Sequence, residues 1–455
     1  MNSPVYQTVI VGGGFTGLFT ALHLAHEHYP RSVILIDKNK RFCFKPLLYE
    51  YFDGEMNSSQ VVPHFSELLK CSGVIFVQDI VQSIDLHQSE VELASGNSYK
   101  YSNLVLALGS VTGYPHVEGA KENAFPFWTQ ADAIALDRHL RDCLQKAIQT
   151  EDVEQRRKLL TVVIVGGGPS GVEMAATLAD FLPHWYGVLG GSSAEIRVIL
   201  LNHGQKILDG DINDPLRPIA ETELQKRTVE IGIILEAEAT VVHPNAVEYK
   251  SHGEVRKLPT YTTIWTAGTS THPLIQDLPI PQEHRDHHRR PLVTPTMQLL
   301  DFPEVFAGGD CAAVQNSSLP PTAQVAYQHG ANIARNLTAL ALGKDPKPVK
   351  VDIRGTMLKL GLNDAAANLF NIFEVAGEPA HLIRQGTYLT LLPTPIHNFK
   401  ATTEWLDEEI FHHHINPRNL GQELVHVMEL VGAGVVGVLV ARKLLRMLGN
   451  EGKRE

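Results

Sequence analysis

One unit occurs twice in this chain, and it constrains the fold more than any other feature. Thr8-Val9-Ile10-Val11 runs into Gly12-Gly13-Gly14-Phe15-Thr16-Gly17, and Thr161-Val162-Val163-Ile164-Val165 runs into Gly166-Gly167-Gly168-Pro169-Ser170-Gly171. Each copy is a β-branched strand, a tight glycine turn and a helix-period pattern, which reaches about His26 in the first and Leu182 in the second. In that setting G-x-G-x-x-G has a physical meaning. The first glycine permits the turn, the second lets the backbone approach a pyrophosphate, and the third lets the helix pack on the strand. The helix N-terminus then offers free N–H groups and a positive dipole end to the phosphates. Gly12, Gly14 and Gly17, and again Gly166, Gly168 and Gly171, read as two dinucleotide fingerprints. A third match, Gly432 to Gly437, has too few residues after it to complete a βαβ unit and is set aside.

The strand after each helix separates the two copies chemically. Val33-Ile34-Leu35-Ile36-Asp37 ends in a carboxylate, placed to accept hydrogen bonds from a ribose. Arg197-Val198-Ile199-Leu200-Leu201-Asn202 ends in a neutral amide. A carboxylate there would repel a 2′-phosphate, whereas Asn202 does not, and Lys206 can help to neutralise one. This points to NADPH, alone or beside NADH; Asn202 can serve NADH equally well. Two such units in one chain suit a tightly held flavin in the first and an exchanging nicotinamide in the second, with FAD accepting hydride and handing electrons on.

The expected architecture is α/β: two Rossmann-like dinucleotide-binding domains plus a C-terminal α+β domain with a helical tail. Residues 1–120 and 285–345 form the FAD domain, 121–284 the NAD(P)H domain and 346–455 the C-terminal domain, with an amphipathic tail at 419–449. Leu104 to Gly109, Thr262 to Gly268 and Val305 to Asp310 read as strands ending at glycine turns. Residues 151–158 read as a loop or helix end, and 279–290 as a polar, basic surface loop. Tyr388 to Leu392 reads as a short strand. Residues 183–195 separate the second helix from its next strand by more than such a unit needs.

The net charge is −11, which lacks the basic footprint of a nucleic-acid binder. Cys43, Cys71, Cys143 and Cys311 are scattered, with no C-x-x-C pair, which suits a reducing compartment and argues against zinc. His284, His287 and His288, and His412 to His414, lack an organised ligand set and read as solvated loops, so no metal is expected. The start Met1-Asn2-Ser3-Pro4 has neither a basic n-region nor an apolar h-region, so no secretory signal is expected.

Across roughly residues 5 to 340 the chain resembles the two-dinucleotide-binding-domain flavoproteins. Both fingerprints carry that resemblance, with Leu106-Ala107-Leu108-Gly109, Trp265-Thr266-Ala267-Gly268 and Ala307-Gly308-Gly309-Asp310. It implies that Asp310 holds the ribityl chain of FAD and that Gly109 and Gly268 line the nucleotide sites. Two further segments, Phe44-Lys45-Pro46-Leu47-Leu48-Tyr49-Glu50 and Ala323-Gln324-Val325-Ala326-Tyr327-Gln328, are similar to the type II NAD(P)H:quinone oxidoreductases, and most of all to their cyanobacterial and plastid demethylphylloquinone-reducing branch. The resemblance implies that Lys45, Pro46 and Ala323 lie at the flavin and that Gln324 and Gln328 line a quinone pocket. Glu173 matches a Glu that these enzymes place near nicotinamide and flavin. From the residues alone, the two glutamines could be exposed helix positions, and Glu173 a first-turn Glu favoured by the helix dipole.

The tail from Leu430 to Leu448 is apolar except for Arg442, Lys443 and Arg446, which share one helix side. Its uncharged run falls short of the about 20 residues that span a bilayer. It suits an anionic membrane surface, with a buried packing or dimer helix as the alternative. The resemblance implies a peripheral protein on the cytoplasmic side of a thylakoid or plasma membrane, with a quinone as substrate; a homodimer stays open. The competing readings are a thiol- or sulfide-linked flavoprotein reductase and a redox-sensing flavoprotein.

Overall fold

The computed structural model describes residues 7–114, 117–209, 216–353, 355–369, 373–394 and 401. Two five-stranded parallel sheets dominate it. The first has the order Val305–Ala307, Asn103–Leu106, Gln7–Val11, Ser32–Asp37, Ile75–Gln78. The second has the order Ile231–Ile234, Arg197–Leu201, Thr161–Val165, Thr262–Trp265, Phe125–Pro126. In each, the strand that enters a glycine turn is central and covered on both faces, which is why it is an unbroken apolar run. In each, strand order reverses beside that central strand, which is where sheets of this kind bind ligands at their carboxyl ends.

The helix Phe15–His26 packs against Ala323–Ala341. Gly330 makes this crossing possible, since a Cβ there would come within 2.5 Å of the Thr16 carbonyl oxygen. Thr16 Oγ1 donates to the Ala326 carbonyl at 3.0 Å across the same crossing. The Ala-Gln-x-Ala-x-Gln segment is thereby fixed against the first glycine turn.

The C-terminal part has a three-stranded antiparallel sheet, Gly355–Gly361, Asp364–Leu369 and Phe373–Gly377, followed by the helix Glu378–Thr390. The expected strand at Tyr388 to Leu392 is therefore corrected: Tyr388 to Thr390 are the last turn of that helix. Its core-facing residues include His381, Arg384 and Gln385 as well as Ala380 and Leu389, so its helical period is carried partly by polar side chains. A reading by apolar residues missed it.

Three other segments are defined more closely. Val153–Leu159 is a helix, capped by Asp152, whose carboxylate accepts from the Glu154 and Gln155 N–H groups. The second fingerprint helix continues through Pro183 to Val188, and a 3-10 turn at Ser193–Glu195 completes the segment before the next strand. Residues 279–290 are organised around the buried Arg285, which donates to the carbonyls of Ile275, Gln276, Leu278, Ile280 and Arg289. The tail 419–449, the glycine match at 432–437 and His412 to His414 lie outside the described residues.

Candidate functional site

The glycines of the two turns act through close approach. Gly12 has φ of +100° and Gly166 has φ of +113°, a region that side chains disfavour. A Cβ on Gly17 would strike the Gly12 carbonyl oxygen, and one on Gly171 would strike that of Gly166. A Cβ on Gly14 meets nothing within 4 Å, so the turn is open on the side where a pyrophosphate would lie. Gly14 and Gly168 are the N-caps of their helices and neither end carries a side-chain cap, which leaves N–H groups for an anion. These cradles fit a dinucleotide in each unit.

Asp37 and Asn202 occupy equivalent places with different charge. The Gly13 N–H donates to Asp37 Oδ2 at 2.7 Å, and the Gly167 N–H donates to Asn202 Oδ1 at 3.2 Å. Burial pushes the Asp37 carboxyl up from its ordinary value. Asn202 Nδ2 also donates to the Lys206 carbonyl at 2.7 Å and to the Gly204 carbonyl at 3.2 Å. Asn202 therefore braces its glycine turn and the following loop with no negative charge. Asn202→Asp loses both donors and adds that charge beside the turn. We expect its NADPH-to-NADH ratio of kcat/KM to fall by about tenfold, the equivalent of about 1.4 kcal/mol. Steady-state kinetics with both donors check this, and an unchanged ratio would remove Asn202 as a determinant.

Around the first turn, Gly109 follows its strand with φ of +65°, and Ser110 Oγ donates to Asp310 Oδ2 at 3.1 Å. The neighbouring Gly309 N–H donates to His329 Nδ1 at 3.0 Å, so His329 holds the turn that presents Asp310. Lys45 is brought to the same place. Burial pulls its pKa down to about 8 against the opposing charge of Asp310, and its ammonium lies 3.4 Å from the centre of the Trp128 ring. Pro46 enters through its carbonyl, which accepts from Arg384 Nη2 at 2.7 Å. In the second unit, Gly268 has φ of +74° just beyond the strand that ends at Trp265.

Thr322 caps the helix that begins at Ala323, accepting from the Val325 N–H. Gln324 donates to the Gly355 carbonyl at 3.4 Å. The Gln328 amide pairs with the backbone of Asp352, donating to its carbonyl at 2.9 Å and accepting from its N–H at 2.9 Å. Gln328 thus joins this helix to the segment that leads into the C-terminal sheet.

Glu173 is not a simple first-turn residue. Its Oε1 accepts from the Lys359 backbone N–H at 2.8 Å, and Arg384 Nη2 stands 3.5 Å away. Burial pushes its pKa up to about 7, against the pull of Arg384. Tyr49 Oη donates to the Ser170 carbonyl at 2.9 Å, so the segment 44–50 meets the start of the second fingerprint helix here. Three parts of the chain therefore converge at Glu173. Behind it lies a cluster that the sequence reading missed: Glu50, Asp53, Glu55, Lys359, His381 and Arg384. Glu50 lay inside a quoted motif. Lys359 follows Leu358 in a strand where both are buried, a break from alternation that reads as a surface lysine when only apolar positions are counted.

The four cysteines are free thiols. Burial pushes Cys43, Cys143 and Cys311 up to about 11, far from the depressed values of reactive thiolates. Among the described residues no group of three or more His, Cys, Asp and Glu side chains could hold a metal ion.

Residues 6–330 match the model of the family described as pyridine nucleotide-disulphide oxidoreductase. The chain is 34% identical over 414 residues to the demethylphylloquinone reductase NdbB of Synechocystis, a match covering 87% of this chain and 95% of that one. It is 32% identical to the type II NADH:quinone oxidoreductase Ndh of Mycobacterium tuberculosis, covering 83% of this chain and 82% of that one. In fold it is similar to NDH2 of Plasmodium falciparum solved with NADH, with a TM-score of 0.80 and 18% identity over 90% of this chain and 99% of that chain. The chain belongs to the pyridine nucleotide-disulphide oxidoreductase family, among its type II NAD(P)H:quinone oxidoreductases.

Proposed function

We propose that this flavoenzyme passes two electrons from NADPH or NADH to a demethylnaphthoquinone of the demethylphylloquinone type, at the surface of a membrane. The observation that carries this reading is the placing of Glu173. It stands on the helix of the second nucleotide cradle, buried against the segment that brings Lys45 to the first, with a pKa raised to about 7.

Bound FAD supplies the two-electron relay between nicotinamide and quinone. Gly12, Gly14, Gly17 and Asp37 would hold its nucleotide end, and Lys45, Pro46, Gly109, Asp310 and Ala323 would hold the remainder. Gly166, Gly168, Gly171, Asn202 and Gly268 take the nicotinamide dinucleotide. The quinone slot is bordered by Gln324, an uncharged donor suited to a carbonyl oxygen, and is shaped by Gln328 through Asp352. Quinone reduction takes two electrons and two protons, and a hydride brings two electrons and one proton. The remaining proton comes from a side chain, and Glu173 suits that task because it is half protonated near neutral pH.

We assign residues 1–120 with 285–345 to the flavin unit, 121–284 to the nicotinamide unit and 346–455 to the C-terminal unit. The tail at 419–449 is the membrane contact in this reading. No helix among the described residues is long and apolar enough to cross a membrane. The thiol-linked alternative loses its support because Cys311 is buried, Cys43 is only partly exposed, and burial pushes both thiols up to about 11.

An anaerobic titration tests the reading. NADPH and NADH should each bleach the flavin absorbance, and a demethylnaphthoquinone should restore it faster than a plastoquinone analogue. Bleaching with no return on adding any quinone would overturn the proposal. With liposomes of anionic lipid, the chain lacking residues 430–455 should stay in solution; co-sedimentation would remove the tail from its membrane role.

A further inference from the structure

The cluster behind Glu173 holds more acid than it needs for structure. Glu50 and Asp53 lie one helical turn apart on the helix Leu48–Asp53, with Glu55 just beyond it. Lys359, whose side chain is fully buried, stands 2.9 Å from Asp53, 2.7 Å from Glu55 and 3.8 Å from Glu50. Arg384, also buried, pairs with Glu50 and stands beside Glu173. His381 stands 3.8 Å from Glu55, and burial pushes it down to about 4, so it is neutral at pH 7.

The charges of this cluster do not balance if every acid is ionised. Four carboxylates, Glu50, Asp53, Glu55 and Glu173, face two permanent cations, Lys359 and Arg384. An uncompensated charge in such a place is resolved by protonation rather than tolerated. Two bound protons make the cluster neutral. The surroundings select their places. Burial and the neighbouring charges of Glu55 and Glu50 push Asp53 up to about 8, whereas Lys359 and then His381 pull Glu55 below its ordinary value despite burial. Tyr49 and Tyr388, the other titratable groups facing this region, are themselves pushed upward by burial and stay protonated.

We propose that Glu50, Asp53, Glu55, Glu173, Lys359 and Arg384 form a two-proton store, in which Asp53 holds the proton that refills Glu173 after each quinone is reduced. This rests on the reading of Glu173 as proton donor. Glu173 gives its proton to the quinone oxygen and becomes a carboxylate. Asp53 then releases a proton that reaches Glu173 by way of Glu50, which shares Lys359 with Asp53 and Arg384 with Glu173. Glu50 Oε2 and Arg384 Nε have no hydrogen-bond partner among the described residues, so hydrogen-bonding capacity remains open along this route. Asp53, whose side chain is fully buried, recovers its proton from solvent past Glu55, which is partly exposed. The cations keep their protons throughout, and no further oxidant or reductant is required.

Infrared difference spectroscopy of the wild-type holoenzyme grown with carbon-13-labelled aspartate reads the store directly. At neutral pH one carboxylic-acid carbonyl band should shift on labelling and should vanish as pH rises through about 8. The absence of a labelled acid band would overturn the proposal. Asp53→Asn adds a kinetic readout: with excess quinone, the first turnover should run close to the wild-type rate and later turnovers should slow by on the order of tenfold or more. Equal slowing of first and later turnovers, or none, would also overturn it. If no quinone reoxidises the wild-type flavin, the functional reading fails, and loss of the labelled band in Asp53→Asn still decides whether Asp53 holds a proton.

Discussion

Gly17→Ala is expected to yield protein that purifies with at least tenfold less flavin than the wild type. The added Cβ would strike the Gly12 carbonyl oxygen and come within 3.2 Å of the Ala107 Cβ. The first of these is backbone in a turn that is itself held at positive φ, so no side-chain rotation relieves the contact. The helix Phe15–His26 has to move off its strand, at a cost of about 1–3 kcal/mol or more for overpacking. Its N-terminus then leaves the position from which it would face a pyrophosphate. The same movement disturbs the contact of Thr16 with Ala326. The ratio of visible to protein absorbance after gel filtration measures the loss. Gly14→Ala is the informative partner, because its Cβ meets nothing in the protein. It should fold at wild-type stability and bind flavin more weakly. Full flavin in Gly17→Ala would show that close helix–strand packing is not required at this turn.

Lys359→Met is expected to be the most destabilising single change near the site. It removes the cation that faces Asp53, Glu55 and Glu50, and breaking a buried ion pair from one side costs about 3–5 kcal/mol. The loss should depend on pH with a definite sign. Asp53 is raised to about 8 from 3.8, and Glu173 to about 7 from 4.5. Each is favoured in its protonated form by the fold. Their contribution to stability is fully present below the unfolded values and is lost as pH rises through about 7 to 8. Removing Lys359 raises the folded values further, so the deficit of the variant should be smallest near the acid end of this window and largest at its alkaline end. Thermal melts across the window measure it. A deficit that does not vary with pH would show that Lys359 acts through packing rather than charge. Combining Lys359→Met with Asp53→Leu should recover part of the loss, because it removes an orphaned acid along with its partner.

The two nucleotide cradles were legible in the sequence because their determinants are local. A β-branched strand, three glycines and a helix start lie within eleven residues or so of each other, and the steric demands of that turn admit few alternatives. Asp37 and Asn202 were legible for the same reason, at the end of the next strand. The buried polar cluster was not. Arg384 and Lys359 acquire their meaning from Glu50, Asp53 and Glu55, which lie far away along the chain. Nothing near either residue in sequence announces burial. The run Tyr388 to Leu392 misled for a related reason, since the helix to which it belongs turns His381, Arg384 and Gln385 inward. A hydrophobic period cannot register a helix whose inner face is partly charged. Arg285 was hidden in the same way, because its five partners are backbone carbonyls and leave no trace in composition.

Glu173 grows from one Rossmann unit and burial raises its pKa, yet the groups that pull it back, the Arg384 guanidinium and the Lys359 N–H, belong to a part of the chain with no nucleotide fingerprint. Acid strength and cofactor choice are therefore inherited from separate stretches of sequence. A chimaera carrying a relative's residues from 355 onward would keep its donor preference and acquire a foreign pH optimum.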